Sequence, residues 1–314
     1  MEQRHLGRSG LTVSRLGLGT MSWGQDTLDE EAADLLTAFV HAGGTFIDTA
    51  DVYSGGEAER LLGRLLGKVV HRNDVVVATK AILGPDGRYD ASRRHLLRSL
   101  DASLDRLGLD HVDLWQLHCY DPSTPLEETL SAVDEAVRSG RTRYAGVSNY
   151  TGWQLATAAT WQRAWPGRTP LIAAQAEYSL LSRDAERELI PAALDSGIGL
   201  LPWSPLGRGV LTGKYRTGIP ADSRAADPNL AEFVRPYLGE QHRRIVESVS
   251  TAAGGLGVSP LAVALSWVRD QPGVVAPIVG ARTSAQLLGV LAAEDLTLPQ
   301  EIRDALDDVS DTDL

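Results

Sequence analysis

A single cysteine, Cys119, in 314 residues has no partner for an internal disulfide, so the fold must rest on a packed core and a reducing compartment is the default. Basic residues are scarce as well: 30 Lys and Arg stand against 41 Asp and Glu, and they form no block. The net charge of -11 and pI near 5.1 argue against a surface that tracks phosphate backbones or anionic headgroups. The opening "MEQRHLGRSG" has no apolar secretion-signal core, and no apolar run approaches the ~20 residues of a membrane span. The expectation is a cytoplasmic protein with a small-molecule partner, no nucleic acid and no membrane.

Several chemical signatures are missing too. No G-x-G-x-x-G follows an apolar run, which removes a Rossmann nucleotide site. Without H-E-x-x-H or an HxH pair, a zinc hydrolase has no support and no metal is expected. "GRGVLTGKY" resembles a phosphate loop, but Arg208 stands at the required first glycine and Tyr215 at the required Ser/Thr. "GVSNY" has Tyr150 where a nucleophile elbow needs glycine.

What is present is ordinary globular composition, 43% hydrophobic and 23% charged, arranged in a regular alternation without a linker or close repeat. Short apolar runs at 15–20, 45–48, 74–80, 112–118, 144–149, 171–175, 198–204 and 274–280 read as strands. Amphipathic stretches separate them. "LDEEAADLLTAFVHAGG" repeats Leu28, Leu35, Leu36, Phe39 and Val40 at helical spacing and stops at Gly43; the segments 124–140 and 182–197 follow the same plan. Eight βα units spell an α/β fold, a (β/α)8 TIM barrel formed by residues 1–314 as one domain. "RHLGRSGLTVS" reads as an N-terminal hairpin around Arg8, Ser9 and Gly10 that covers the bottom of the barrel. From Gly207 to about Asn229 a Gly- and Pro-rich stretch breaks the rhythm, a length that in compact domains usually serves function. Trp153, Trp161 and Trp165 share one helical pattern that suits either a packed face or an interface between copies; packing, and a monomer, is the reading taken.

In a parallel barrel the C-terminal strand ends meet on one face. Asp48, Lys80, His118, Asn149, Gln175, Trp203 and Ser204 end successive apolar runs, and Tyr53 follows on the second loop. Singly, each has a plain structural role: a turn or N-cap for Asp48, a snorkelling Lys80, a packing Tyr53, an interior His118. Their coincidence at one mouth favours chemistry. Tyr53 can give a proton, Lys80 can stabilise its phenolate, Asp48 can keep Lys80 charged, and His118 can donate to a substrate oxygen. Moving a tyrosine pKa from ~10 to near 7 takes about 4 kcal/mol, roughly what a cation at ~4 Å supplies at an effective dielectric of ~20. Asp48 opposes part of this, so relative distances decide the outcome.

"FIDTADVYSGGEAERLLG", "VVVATK", "LWQLH", "GVSN", "AAQAEYSLL", "LPWSPLGRGVLTGKY" and "PIVGARTSAQL" together resemble the aldo-keto reductases, from about Leu6 to Ala293. The resemblance implies an NADPH-dependent reductase of aldehydes or ketones with the tetrad Asp48, Tyr53, Lys80 and His118. It implies that Thr20 and Met21 lie near the nicotinamide ribose, that Ser148, Asn149 and Gln175 hold the carboxamide, and that Trp203 stacks on the ring. Ser204, Pro205, Leu206, Gly207 and Gly209 would line the pyrophosphate loop. Lys214, Arg224, Gly280, Arg282 and Gln286 would serve the 2′-phosphate end of NADP(H). Where many relatives carry an acid and an asparagine for adenine, this chain has Gly289 and Val290, which predicts weaker adenine anchoring. Trp23, Tyr89 and Tyr120 are placed to line a substrate pocket with Tyr53 and His118. The chain is also similar to the β subunits of voltage-gated potassium channels, which bind NADPH as regulators; His118, where those tend to carry an amide, favours the enzyme.

Overall fold

Apolar runs too short for a helix, bounded by glycine or polar residues, form ten strands among residues 1–83, 87–228 and 230–311, which the computed structural model describes. β1 (Gln3–His5) and β2 (Thr12–Ser14) make an antiparallel hairpin. β3 (Gly17–Gly19), β4 (Phe46–Asp48), β5 (Val76–Ala81), β6 (Val112–Leu117), β7 (Thr142–Ser148), β8 (Leu171–Glu177), β9 (Gly199–Trp203) and β10 (Ile278–Gly280) close into a barrel in the order β10-β3-β4-β5-β6-β7-β8-β9. Every neighbouring pair is parallel.

Helices return the chain between strands. α1 (Asp29–His41), α2 (Glu57–Leu65), α3 (Arg93–Leu107), α4 (Leu126–Arg138), α5 (Gly152–Arg163) and α6 (Leu189–Ser196) follow β3 to β8 in turn. α7 (Ala231–Val234), α8 (Glu240–Leu256) and α9 (Pro260–Arg269) lie between β9 and β10, and α10 (Ser284–Leu291) and α11 (Gln300–Ser310) end the chain. α1 shows the rule: Ala32, Leu35, Leu36 and Phe39 bury one stripe, three acids open its first turn, and Gly43 at φ +82° ends it. Leu28 is not part of that stripe, for it precedes the helix and is exposed.

The hairpin plugs the bottom of the barrel as expected. Its Leu6 and Val13 pack on Phe46, Ala78, Leu114, Ile172, Leu201 and Ile278 in a core of their own. The chain enters through Gly7, at φ +58°, where a Cβ would stand 2.6 Å from the Ile172 carbonyl oxygen and 2.8 Å from that of Gly197. Among the described residues no single helix is long and apolar enough to cross a membrane.

Three expectations are corrected. The last run is a continuous strand only over β10, with a single bridge from Val274 to Leu200 at its start, because Pro277 has no N–H for the ladder; its carbonyl instead accepts from the Gly17 amide at 2.9 Å. The stretch 182–197 breaks into a 3-10 turn at Asp184–Glu186 and then α6, which starts where Pro191 falls in its first turn. Trp165 lies beyond α5, and Trp153 and Trp165 are 56% and 64% exposed, so of the three only Trp161 packs on the core. Asn229, where the long loop was expected to end, lies outside the described residues.

Candidate active site

Asp48 is the last residue of β4, Lys80 the next to last of β5, and His118 follows β6, tied to β5 by its amide on the Ala81 carbonyl at 2.9 Å. Tyr53 opens a 3-10 turn directly after β4. Lys80 is fully buried, and its Nζ donates to Asp48 Oδ2 at 2.6 Å, to the Thr49 carbonyl at 2.8 Å and to the Tyr53 hydroxyl at 3.4 Å. Burial disfavours the ammonium, but the charges and hydrogen bonds of Asp48 and Tyr53 together outweigh it and Lys80 stays above its ordinary pKa.

Tyr53 answers the question of distances. Burial raises its pKa, Lys80 lowers it and Asp48 opposes Lys80, and the balance lies above the ordinary tyrosine value. The opposition between Lys80 and Asp48, left open by the sequence, is not won by Lys80 in this geometry, since Lys80 spends its shortest contact on Asp48. The phenol therefore keeps its proton at neutral pH, which suits an acid. The His118 ring stands edge-on to Tyr53, with centroids 6.1 Å apart. Burial, assisted by Lys80, pushes its pKa down to about 3, so the imidazole is neutral, and its buried Nδ1 has no partner.

The amides converge differently from a free carboxamide clamp. Gln175 Nε2 donates to Asp48 Oδ1 at 3.0 Å. Asn149, held at φ +56°, donates from Nδ2 to the His118 carbonyl at 3.0 Å and to Ser148 Oγ at 3.1 Å, and its Oδ1 accepts from Trp203 Nε1 at 2.9 Å. Thr20 spends its hydroxyl on the Asp48 carbonyl at 3.2 Å, while Met21 beside it is exposed. Phe233 lies nearly parallel to Trp203 at 6.5 Å.

Beyond β9 the chain turns through Ser204 (φ +51°), Pro205, Leu206, Gly207 (φ +53°), Arg208 (φ +57°) and Gly209 (φ +92°). Successive left-handed residues fold a tight turn, closed by the Gly207 and Gly209 amides on the Ser204 and Leu206 carbonyls at 2.9 and 3.0 Å, and its glycines let an anion approach the backbone. Arg208 does not face it: Glu177 grips its guanidinium at 2.7 and 2.9 Å, anchoring the loop to β8. Lys214 does reach it, for a Cβ on Gly209 would stand 3.2 Å from Lys214 Nζ, which has no acidic partner among the described residues. Arg224 comes within 3.8 Å of the Cβ position on Gly280, and Arg282 follows the same strand. Gln286 folds back to accept from the Arg282 amide at 2.9 Å. The glycine turn, the cations and the partly exposed Trp203 fit a phosphate-bearing nucleotide with a flat ring. Val290 is buried and Gly289 presents no side chain, so neither offers adenine a polar contact.

A model of the aldo/keto reductase family matches residues 15–311. The chain belongs to the aldo/keto reductase family. It is 39% identical to an uncharacterized oxidoreductase of Bacillus subtilis across 98% of its length and 96% of that protein. It is 38% identical to a probable voltage-gated potassium channel subunit beta of Oryza sativa, over 98% and 96% of the two chains. A versiconal hemiacetal acetate reductase of Aspergillus parasiticus is 33% identical over 96% and 95%. Membership makes the chain an oxidoreductase of small carbonyl compounds, in a family that works with nicotinamide cofactors.

The pocket residues of this aldo/keto reductase scatter. Tyr120 packs its ring on Tyr150 and Trp153, with centroids at 5.4 and 5.7 Å, making an aromatic wall two residues past His118. Tyr89 is 53% exposed at the loop after β5. Trp23 is wholly buried with its indole N–H unpartnered, so it adds no open wall in this state. Asp121 staples the loop after β6, accepting from the Ala91 and Ser123 amides at 2.9 and 2.8 Å, which leaves it a structural rather than a lining role.

Other participants escaped the sequence reading. Gln116, buried on β6, donates to Asp48 Oδ1 at 3.3 Å and leaves its own Oε1 unpaired. Its spacing of two from His118 puts both on one strand face, a signal that was available. Asp51 is half-buried beside the site, its enclosed Oδ1 without a partner; burial and then Glu59 push its pKa up to about 7. Glu59 is itself buried, accepting from Thr79 Oγ1 at 2.5 Å and from Arg106 Nε at 2.6 Å. Nothing local in the sequence announces that cluster.

Proposed function

We propose that the protein reduces aldehydes or ketones to alcohols with NADPH, Tyr53 supplying the proton to the carbonyl oxygen. The observation that carries this is the buried chain Asp48–Lys80–Tyr53, closed by a neutral His118. Bound NADPH would supply hydride to the carbonyl carbon. Proton and hydride together balance C=O to CH–OH. The phenol, held protonated by burial, gives up its proton as charge grows on the substrate oxygen. Lys80 then stabilises the phenolate at short range, and Asp48 keeps Lys80 charged throughout. His118 Nε2 is free to donate a hydrogen bond to the same oxygen. The loop 204–209, Lys214, Arg224 and Arg282 would hold the nucleotide, with Trp203 under its ring. The wall of Tyr120, Tyr150 and Trp153 favours apolar or aromatic carbonyls.

Tyr53→Phe should cut turnover roughly 100- to 10,000-fold while cofactor affinity changes little, because the hydroxyl acts in the transition state. Tryptophan fluorescence quenching would measure binding, and loss of reduced-nicotinamide absorbance with a panel of carbonyls would measure turnover. Retained activity in the variant would remove Tyr53 as the acid. The likeness to a channel β subunit supports a second reading, an NADPH-binding regulator. Tight nucleotide binding with no turnover on any carbonyl would select it.

A further inference from the structure

Glu31 stands in the first turn of α1, which packs beside α10, and its Oε1 accepts from the Ser284 amide at 2.6 Å and from Ser284 Oγ at 3.0 Å. Ser284 is the first residue of α10, and its amide is one of those left free at a helix start. A carboxylate from another helix thus occupies the positive end of α10. Two guanidiniums face the same turn. Arg282 donates to the Asp222 carbonyl at 2.7 Å, and the Arg224 side chain makes no hydrogen bond or ion pair among the described residues. Each raises the other's need for an anion: burial and then the charge of Arg282 hold Arg224 below its ordinary pKa. Asp26 acts on Arg224 only through its charge, and Glu31 is spent on backbone and hydroxyl rather than on either arginine.

We infer that Glu31 sets the nucleotide preference of this protein, weakening its discrimination for NADPH over NADH. This rests on the reductase reading above. The two nucleotides differ by a ribose phosphate, which carries negative charge near neutral pH, against a neutral hydroxyl. Arginines at this turn attract the phosphate. A fixed carboxylate on the α10 N-terminus repels it, and withholds an amide that an anion could otherwise use. The hydroxyl of NADH is neutral and escapes that repulsion, and a glutamine oxygen accepts from it as a carboxylate does. Glu31→Gln keeps an oxygen to accept from Ser284 while removing the charge, so it isolates the electrostatic effect.

The experiment is a titration of the full chain with NADPH and with NADH, in the wild type and in Glu31→Gln, following tryptophan fluorescence. The expected result is an NADPH Kd about tenfold lower in the variant with an NADH Kd within about twofold, the difference shrinking at high salt. Glu31→Ala, with its melting temperature checked, should move NADPH the same way if charge is the cause. A ratio of the two Kd values that stays the same in both variants would overturn the role of Glu31 alone. Absence of measurable binding for either nucleotide in the wild type would overturn the reductase reading, and this inference with it.

Discussion

Two buried groups beside the site, Asp51 and His118, respond to pH in opposite senses. His118 has its pKa pushed down to about 3, so the unfolded chain takes up the proton first, and the stability it contributes is full above its ordinary 6.5 and lost as pH falls from there. Asp51, pushed up to about 7 from 3.8, keeps its proton in the native state. Its contribution is full below 3.8 and lost as pH rises toward 7. Asp51→Asn should therefore stabilise the protein by on the order of 2 kcal/mol near pH ~8, discounted for partial exposure, and by nothing near pH ~4. Urea unfolding at the two pH values checks this; an equal gain at both would show that titration is not the cause. Gln116 tests the support of Asp48. Its amide dipole offsets part of the Asp48 charge that opposes Lys80, so Gln116→Leu should lower turnover about tenfold and move the basic limb of the pH–rate profile upward. Because the unpaired Oε1 leaves with it, thermal stability should hold or rise, a pattern that simple loss of packing would not produce.

Elements were legible where local chemistry decides them. Strand positions, the hairpin plug and helix stops at glycine follow from periodicity and turn residues over a few positions. β10 and α6 departed from that reading at Pro277 and Pro191, where one missing N–H outweighs an apolar or helical pattern. The hairpin offers the test at this scale. Gly7→Ala forces a Cβ against three backbone atoms within 2.9 Å at a left-handed φ, and should cost about 3 kcal/mol in urea unfolding. Turnover per folded molecule should be unchanged, since the plug lies at the opposite end of the barrel from Tyr53. A fall in turnover at full folding would mean that the bottom of the barrel communicates with its mouth.

For the whole molecule, a closed ring of parallel strands has no edge at which part of it can separate. One unfolding transition is expected in scanning calorimetry, with the calorimetric and van't Hoff enthalpies in agreement; two resolved transitions would show independently folding units. The ring also explains which parts of the site could be read in advance. That Asp48, Lys80, His118, Asn149, Gln175 and Trp203 share one mouth follows from the sequence, because strand ends in a parallel barrel must meet, whatever the intervening lengths. Residue types at those ends determined the class of chemistry. Only the tertiary structure decided the balance among them: that Lys80 lies nearer Asp48 than Tyr53, that Gln116 shares the load on Asp48, that Asp51 has an enclosed and unpaired Oδ1, and that Glu31 reaches Ser284 across the chain. Charge and desolvation depend on distance and burial between residues remote in sequence, and no local pattern encodes those.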